Sequence, residues 1–107
     1  ATGLSPGVLI ADSFGRPWRL GQADVAIGCA GLVSLDDRRR LPDRHGEPLV
    51  ATMIAVADQI AAAADLTRSK DDGRAACLIR GLDRFVMVAD GPGARSLQRP
   101  RSDDLFR

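Results

Sequence analysis

Aromatic residues are scarce in this chain of 107 residues, which has three Phe, one Trp and no Tyr. This scarcity argues against a platform on which nucleic-acid bases would stack. The chain also has almost no excess of one charge, because 15 basic and 14 acidic residues give a formal net charge of +1. A protein that grips a phosphate backbone usually carries a clear basic excess. We therefore expect no nucleic-acid partner and a core built from aliphatic side chains.

Cysteine, histidine and long apolar runs are rare as well. Cys29 and Cys77 lie far apart and lack the CxxC or Cys/His spacing of a zinc site or redox pair, so we expect two buried free thiols. Even the longest apolar runs, such as residues 53–57, are too short to span a bilayer, and the first residues lack the blocks of a signal peptide. We therefore expect a cytoplasmic protein with no membrane partner.

The bulk composition is that of an ordinary globular domain, with 45% hydrophobic and 27% charged residues. A chain of this size buries only about two-thirds of the surface that its unfolded form exposes, so its stability margin is small. We expect residues 1–107 to be a single domain or a fragment of a larger one, for which a missing half or a partner subunit would matter.

Apolar runs predict strands in the first third of the chain. Residues 7–11 and 24–32 are apolar and bounded by polar or turn-forming residues, which is typical of buried strands. The two glycines of the second run would let a neighbouring backbone approach closely. Between the runs, a Gly and a Pro mark residues 14–19 as a shaped loop. Asp12 would then stand at the end of the first strand.

The clearest element is a helix within residues 50–67, where apolar residues recur at spacings of three and four. Four consecutive alanines, residues 61–64, favour this helix and allow close packing against it. Asp58 lies on its apolar face, and we expect it to pair with an arginine across the core. Residues 75–79 predict another buried strand, whereas residues 85–88 are ambiguous. The chain thus reads as a mixed α/β fold with strands packed on one Ala-rich helix.

Two polar regions are expected to lie at the surface. Residues 36–48 form a long loop that contains three consecutive arginines, residues 38–40, and the only histidine, His45. A charge run in a loop is usually solvated, although it could bind phosphates or an acidic chain. We expect His45 to be exposed rather than catalytic. A final helical turn is possible near residues 103–106.

The segment after the first predicted strand carries the chemistry. Asp12 and Ser13 offer hard oxygen ligands of the kind that Mg²⁺ and Mn²⁺ prefer. Arg16 and Arg19 carry guanidinium forks that suit phosphate or carboxylate oxygens. The same residues also fit ordinary turn chemistry and an arginine stacked on Trp18. From the residues alone, a metal and anion site and a structural turn both remain open.

The string Asp-Ser-Phe-Gly-Arg-Pro-Trp-Arg at residues 12–19, followed by Gly-Gln at residues 21–22, Asp-Val-Ala-Ile-Gly at residues 24–28 and Ala-Gly-Leu at residues 30–32, resembles the signature region of the coenzyme F420:L-glutamate ligases. The similarity continues through residues 54–58, 62–66, 70, 72–73, 79–81, 97, 99–100 and 103–106. The resemblance implies the C-terminal half of a larger, two-lobed ligase domain. It also implies an enzyme that uses GTP to activate a terminal carboxylate of F420-0 as an acyl phosphate, which the amine of L-glutamate attacks to form a gamma-glutamyl amide.

The resemblance also implies site residues and partners. Asp12 and Ser13 would be ligands of Mg²⁺ or Mn²⁺, and Arg16 and Arg19 would contact substrate or phosphate. The segment after the helix would bind GTP or GDP through Arg68, Ser69, Lys70, Asp71, Asp72, Gly73, Arg74 and Ala75. L-glutamate and the F420 precursor would be the other small-molecule partners, and the protein would form a homodimer.

Two departures from the family keep a second reading open. Residues 68–70 read Arg-Ser-Lys where the family usually has Met-Gly-Lys, which removes a glycine that would approach the nucleotide closely. The half of the ligase domain that precedes this region in the family is absent from these 107 residues. The alternative is a non-catalytic fragment or assembly module that has kept the fold.

Overall fold

A long β-hairpin opens the fold. The computed structural model describes residues 6–39, 44–46, 52–69, 71 and 73–99. Strand β1, Val8–Arg16, pairs antiparallel with β2, Arg19–Ala30. Exposure alternates along the first residues of β1, which is the signature of a strand with one face covered. Both predicted strands are therefore confirmed, and both are longer than expected.

The expected loop at residues 14–19 is wrong, because strand pairing continues almost to the turn. Phe14 pairs with Ala23 and Gly15 with Gln22, so the Gly does not interrupt the strand. Pro17 and the following Trp18 make a tight two-residue connection. Trp18 has a φ of 61°, a left-handed conformation that costs a non-glycine residue about 1–2 kcal/mol. Asp12 consequently lies inside β1 rather than at its end.

A bulge in β2 brings the hairpin and the helix together. Ile10 pairs with Gly28 while the next residue, Ala11, pairs with Ala26, so β2 carries one extra residue at this point. Beside the bulge, the Ala26 N–H donates a hydrogen bond of 2.8 Å to Oδ1 of Asp58. The prediction that Asp58 pairs with an arginine is therefore wrong, because its carboxylate accepts a hydrogen bond from the backbone of β2.

The helix is shorter than expected. Helix α1 spans Val56–Asp65, because Met53–Ile54 instead form a short strand, β4, that pairs antiparallel with β3, Asp36–Asp37. The Ala57 N–H donates to the carbonyl of Ser34 at the start of the helix. Val56, Ala57 and Ala61 are buried on the helix face that packs against β2. The alanines thus allow the close approach that their small size predicts.

The strand expected at residues 75–79 is wrong. These residues have no regular structure and are exposed, with 75% of Leu78 accessible to solvent. An apolar run forms a strand only where a neighbouring edge offers backbone partners, and residues 75–79 pair with no strand in the described part of the chain.

The ambiguous segment near residue 86 lies beside the end of the hairpin. Met87 N donates to the Gly31 carbonyl, and Val33 N to the Phe85 carbonyl, both at 2.8 Å. A bridge joins Leu32 to Val86. Short 3₁₀ helices at Asp83–Phe85 and Ala94–Leu97 flank this contact. The segment is therefore anchored by backbone hydrogen bonds and only one isolated bridge.

The core is small and lies between α1 and the inner face of the hairpin. Its buried apolar residues are Ala26, Leu32, Val56, Ala57 and Ala61. The mixed α/β prediction is confirmed. In contrast, six large apolar side chains of the hairpin and its turn are each more than half exposed: Val8, Ile10, Phe14, Trp18, Leu20 and Ile27. The core accordingly buries only part of the apolar surface of the hairpin.

Several smaller expectations can be compared directly. Both cysteines are free, but the expected burial is wrong for Cys77, which is exposed; Cys29 is partly buried, and this burial raises the pKa of its thiol. His45 is exposed as expected. The turn expected near residues 103–106 lies outside the described residues. Within the described part of the chain, no helix has the length and apolar character needed to cross a membrane.

Candidate functional site

An open depression of about 180 Å³ lies where the inner face of the hairpin meets the C-terminal end of α1. Three stretches that are distant in sequence meet there, from β1, from β2 and from the end of α1 with the segment after it. The lining residues are Ala11, Asp12, Ser13, Asp24, Asp65, Arg68, Ser69 and Arg74. The tertiary structure thus brings the Asp-Ser motif next to the segment after the helix.

Asp12 and Ser13 reach the depression in different ways. Consecutive residues of a strand point to opposite faces, and accordingly Asp12 is exposed whereas Ser13 is partly buried. Oδ1 of Asp12 accepts a 2.8 Å hydrogen bond from the N–H of the next residue, Ser13. Both residues therefore line one depression despite their alternation.

Asp24 lies at the centre of the polar contacts. Ser13 Oγ donates to Asp24 Oδ1 at 2.9 Å, and Arg68 Nη2 lies 3.6 Å from Asp24 Oδ2. The same Nη2 is 3.7 Å from Oδ1 of Asp65, three residues earlier in the chain. Asp24 is only 6% exposed. A buried carboxylate is costly unless it is hydrogen-bonded and paired, and Asp24 has both kinds of partner.

One donor in this network lacks an acceptor. The Nε atom of Arg68 is buried and, within the described residues, has no hydrogen-bond partner. A buried donor without an acceptor carries a desolvation cost of about 1–3 kcal/mol.

The predicted nucleotide segment is only partly gathered at the depression. Arg68, Ser69 and Arg74 line it, whereas Ala75 is exposed in irregular backbone. The Ser69 hydroxyl donates to Asp71 Oδ1 at 2.6 Å, and this hydrogen bond lowers the pKa of the Asp71 carboxyl. Gly73 has a φ of 73°, which suits glycine. Lys70 and Asp72 lie outside the described residues.

The other predicted anion contacts lie elsewhere. Arg16 and Arg19 face each other beside the turn of the hairpin, and Arg16 Nη2 donates to the Leu20 carbonyl at 2.8 Å. Neither residue lines the depression, and their contact with substrate or phosphate stays a prediction. In the arginine run, Arg39 binds Asp37 at 2.6 Å, and this contact raises the pKa of the guanidinium.

The donor set fits part of a metal site. The described residues contain no group of three or more His, Cys, Asp or Glu side chains that could enclose a metal ion. Mg²⁺, however, usually keeps several waters and is held by one or two carboxylates together with substrate phosphates. The carboxylate of Asp12 and the hydroxyl of Ser13 supply oxygen ligands of this kind. The chain therefore fits a site that a phosphate-bearing ligand completes.

Asp24 and Asp65 were not predicted as site residues from the sequence. A signal for Asp24 was present, because it lies two residues before Ala26 and so shares its face of β2. A carboxylate on the covered face of a strand needs a partner and deserves a place among candidate site residues. No comparable signal marked Asp65, which sits at the polar end of the helix.

Comparison with known proteins gives consistent matches. A family model described as F420-0:Gamma-glutamyl ligase matches residues 1–81. The coenzyme F420:L-glutamate ligase of Methanothermobacter thermautotrophicus is 44% identical over 108 residues, which cover 100% of this chain and 42% of that protein. The ligases of the same name from Methanocaldococcus jannaschii and Methanopyrus kandleri are 40% and 41% identical, over 99% and 98% of this chain. The chain spans 42% of the length of each of these relatives.

Proposed function

Because this chain belongs to the F420-0:gamma-glutamyl ligase family, we propose that it supplies part of the site where such an enzyme joins L-glutamate to coenzyme F420-0. One observation carries the proposal. Asp12 and Ser13 of the signature motif share a depression with Arg68, Ser69 and Arg74 of the segment after the helix. Oxygen ligands and guanidinium groups thus lie together, as a site for a metal and phosphates requires.

In this proposal the chain binds the metal and the nucleotide phosphates from two sides. The Asp12 carboxylate and the Ser13 hydroxyl oxygen bind Mg²⁺ or Mn²⁺. Such an ion neutralises charge on phosphate oxygens when it is bound. Arg68 and Arg74, which both line the depression, bind phosphate oxygens from the other side.

The proposed reaction is a ligation in two steps with GTP as the phosphoryl donor. The terminal carboxylate of F420-0 takes the γ-phosphoryl group, which gives an acyl phosphate and GDP. The amine of L-glutamate then attacks the acyl carbon, so that the amide bond forms, phosphate leaves and the amine loses a proton. The residues of the depression would contribute by holding the phosphates in place, since phosphoryl transfer depends mainly on positioning and electrostatic stabilisation.

The test is calorimetric titration of the chain with GDP, with and without Mn²⁺. We expect GDP binding that depends on Mn²⁺. We also expect Asp12→Asn to weaken Mn²⁺ binding by about tenfold or more while the unfolding temperature stays the same. Asp83→Asn is the matched control, because Asp83 is an exposed aspartate that does not line the depression. Equal Mn²⁺ affinity in Asp12→Asn and the unsubstituted chain would refute the metal role.

A second function is favoured by the surroundings of Arg68. Its guanidinium already lies near two carboxylates, those of Asp24 and Asp65, at 3.6 and 3.7 Å. If these contacts are purely structural, the chain is a non-catalytic assembly module of the same fold. Such an assembly module should bind no GDP at any Mn²⁺ concentration, so the same titration distinguishes the two functions.

Two further properties are proposed with the ligase function. The homodimer implied by the family resemblance is supported by the outer face of the hairpin, where Val8, Ile10 and Phe14 are more than half exposed. Sedimentation equilibrium would give the mass directly, and a monomer at every concentration would refute it. The cytoplasmic location expected from the sequence stays a prediction.

A further inference from the structure

We infer that Asp24 is a positioning residue that orients the Ser13 hydroxyl toward a metal ion and links it to Arg68. This inference rests on the proposed metal role of Ser13. Asp24 lies after the string of residues 12–19 and is not among the metal ligands or phosphate contacts that the family resemblance implies. Its role follows from the contacts of its two carboxylate oxygens.

Asp24 accepts the single hydrogen bond that the Ser13 hydroxyl can donate. A serine hydroxyl has one proton to donate and two lone pairs to offer. Ser13 Oγ donates this proton to Asp24 Oδ1 at 2.9 Å. Toward any other neighbour, the oxygen can then act only as an acceptor or a ligand. Asp24 thus sets Ser13 in the orientation in which it can bind a cation.

The positions of Ser13 and Asp24 are set by the pairing of β1 with β2. Ser13 and Asp24 are directly opposite each other in the hairpin ladder, so the backbone fixes their separation. The other oxygen, Asp24 Oδ2, lies 3.6 Å from the Arg68 guanidinium, and the residue is 6% exposed. Because both oxygens have protein partners, Asp24 acts through Ser13 rather than as a ligand itself.

Asp24 joins two parts of the depression. Ser13 belongs to β1, whereas Arg68 lies beyond the end of α1, and Asp24 touches both. A change at Asp24 therefore disturbs the metal side and the phosphate side of the depression together. Partners that orient the ligands of a metal typically contribute a factor of about 10–100 to metal affinity.

The main experiment measures Mn²⁺ affinity by calorimetry in Asp24→Asn. The amide keeps the size of the side chain, but its NH₂ group can donate to Ser13 and reverse the hydroxyl. We expect Mn²⁺ affinity to fall by about 10–100-fold in folded protein. Ser13→Ala should show a similar loss, whereas Ser13→Thr, which keeps the hydroxyl, should retain the affinity.

A double substitution separates positioning from a general structural effect. If Asp24 acts through Ser13, adding Asp24→Asn to Ser13→Ala should change the Mn²⁺ affinity by less than about twofold. Two independent effects would instead multiply, and that result would overturn the inference. If Asp24→Asn does not fold, Asp24→Glu takes its place, because it keeps the charge but displaces the carboxylate. Unchanged affinity in Asp24→Glu would also overturn the inference.

Asp58→Asn is the matched control. Asp58 is also an aspartate whose carboxylate accepts a hydrogen bond within the fold, from the Ala26 N–H of β2, but it does not line the depression. We expect it to lower stability and leave Mn²⁺ affinity unchanged. If Asp12→Asn weakens Mn²⁺ binding and Asp24→Asn does not, only the role of Asp24 fails. If neither substitution weakens it, the proposed metal site fails as well.

Discussion

Replacing Asp58 with Ala should destabilise the fold more than a typical substitution of a partly exposed helical residue. Asp58 Oδ1 accepts a 2.8 Å hydrogen bond from the Ala26 N–H, which lies beside the bulge in β2. Ala26 is 9% exposed, so its N–H has little access to water as an alternative partner. Asp58→Ala therefore removes the acceptor and leaves a nearly buried donor.

The magnitude follows from three contributions. A hydrogen bond to a charged group contributes about 1.5–3 kcal/mol to stability. An acidic residue in the first turn of a helix adds about 0.3–1 kcal/mol, and Asp58 is the acidic residue in the first turn of α1. Alanine returns roughly 0.5 kcal/mol because it is the better helix former. The expected net loss in the free energy of unfolding is about 2 kcal/mol.

Urea denaturation monitored by circular dichroism would measure this loss. In thermal unfolding, about 2 kcal/mol corresponds to a decrease of roughly 8–16 °C for a domain of this size. Asp58→Asn keeps an oxygen acceptor but loses the charge, so its loss should be smaller, near 1 kcal/mol. A loss below about 0.5 kcal/mol for Asp58→Ala would equal that of an ordinary surface substitution and refute the reasoning.

Two further predictions concern the helix and the segment after it. Ala57→Leu should lower the free energy of unfolding by about 1–3 kcal/mol in urea denaturation, because Ala57 is fully buried against the hairpin. Ala63→Leu, at an exposed position, should be nearly neutral. Equal losses in the two variants would contradict this packing. Ser69→Ala should raise the pKa of the Asp71 carboxyl toward its ordinary value in an NMR titration, because the Ser69 hydroxyl holds it down. Because the folded pKa of Asp71 is lowered, this contact stabilises the fold at pH values above the unfolded pKa of Asp71. That stabilisation is lost as the pH falls through the folded pKa. An unchanged Asp71 pKa in Ser69→Ala would show that the hydroxyl is not the cause.

Periodicity and composition predicted the main elements but not their ends. Apolar spacing identified the helix and both hairpin strands, because these patterns record which face is buried. It placed the helix over residues 50–67, although Met53–Ile54 pair with Asp36–Asp37 and helix α1 spans only Val56–Asp65. The apolar character of residues 53–54 fits either element. The choice depends on whether another strand lies alongside.

The Gly and Pro residues that signal turns likewise describe only the local chain. A Gly and a Pro within residues 14–19 suggested a loop, but both fit a hairpin whose connection is only Pro17-Trp18. The apolar run at residues 75–79 suggested a strand, yet it pairs with no strand in the described part of the chain. Both errors have one cause, since backbone partners come from parts of the chain that a local pattern does not contain.

Residue types and their spacing were enough to predict the mixed α/β class, the apolar face of the helix and the signature string that identifies the family. Which residues meet is set by the folded structure. It placed Asp24 between Ser13 and Arg68, gave the Asp58 carboxylate the Ala26 N–H as its partner, and left Arg16 at the hairpin turn. The physical reason is that residue types and spacing record local preferences, whereas contacts between distant residues depend on strand register, the bulge in β2 and the packing of α1 against the hairpin.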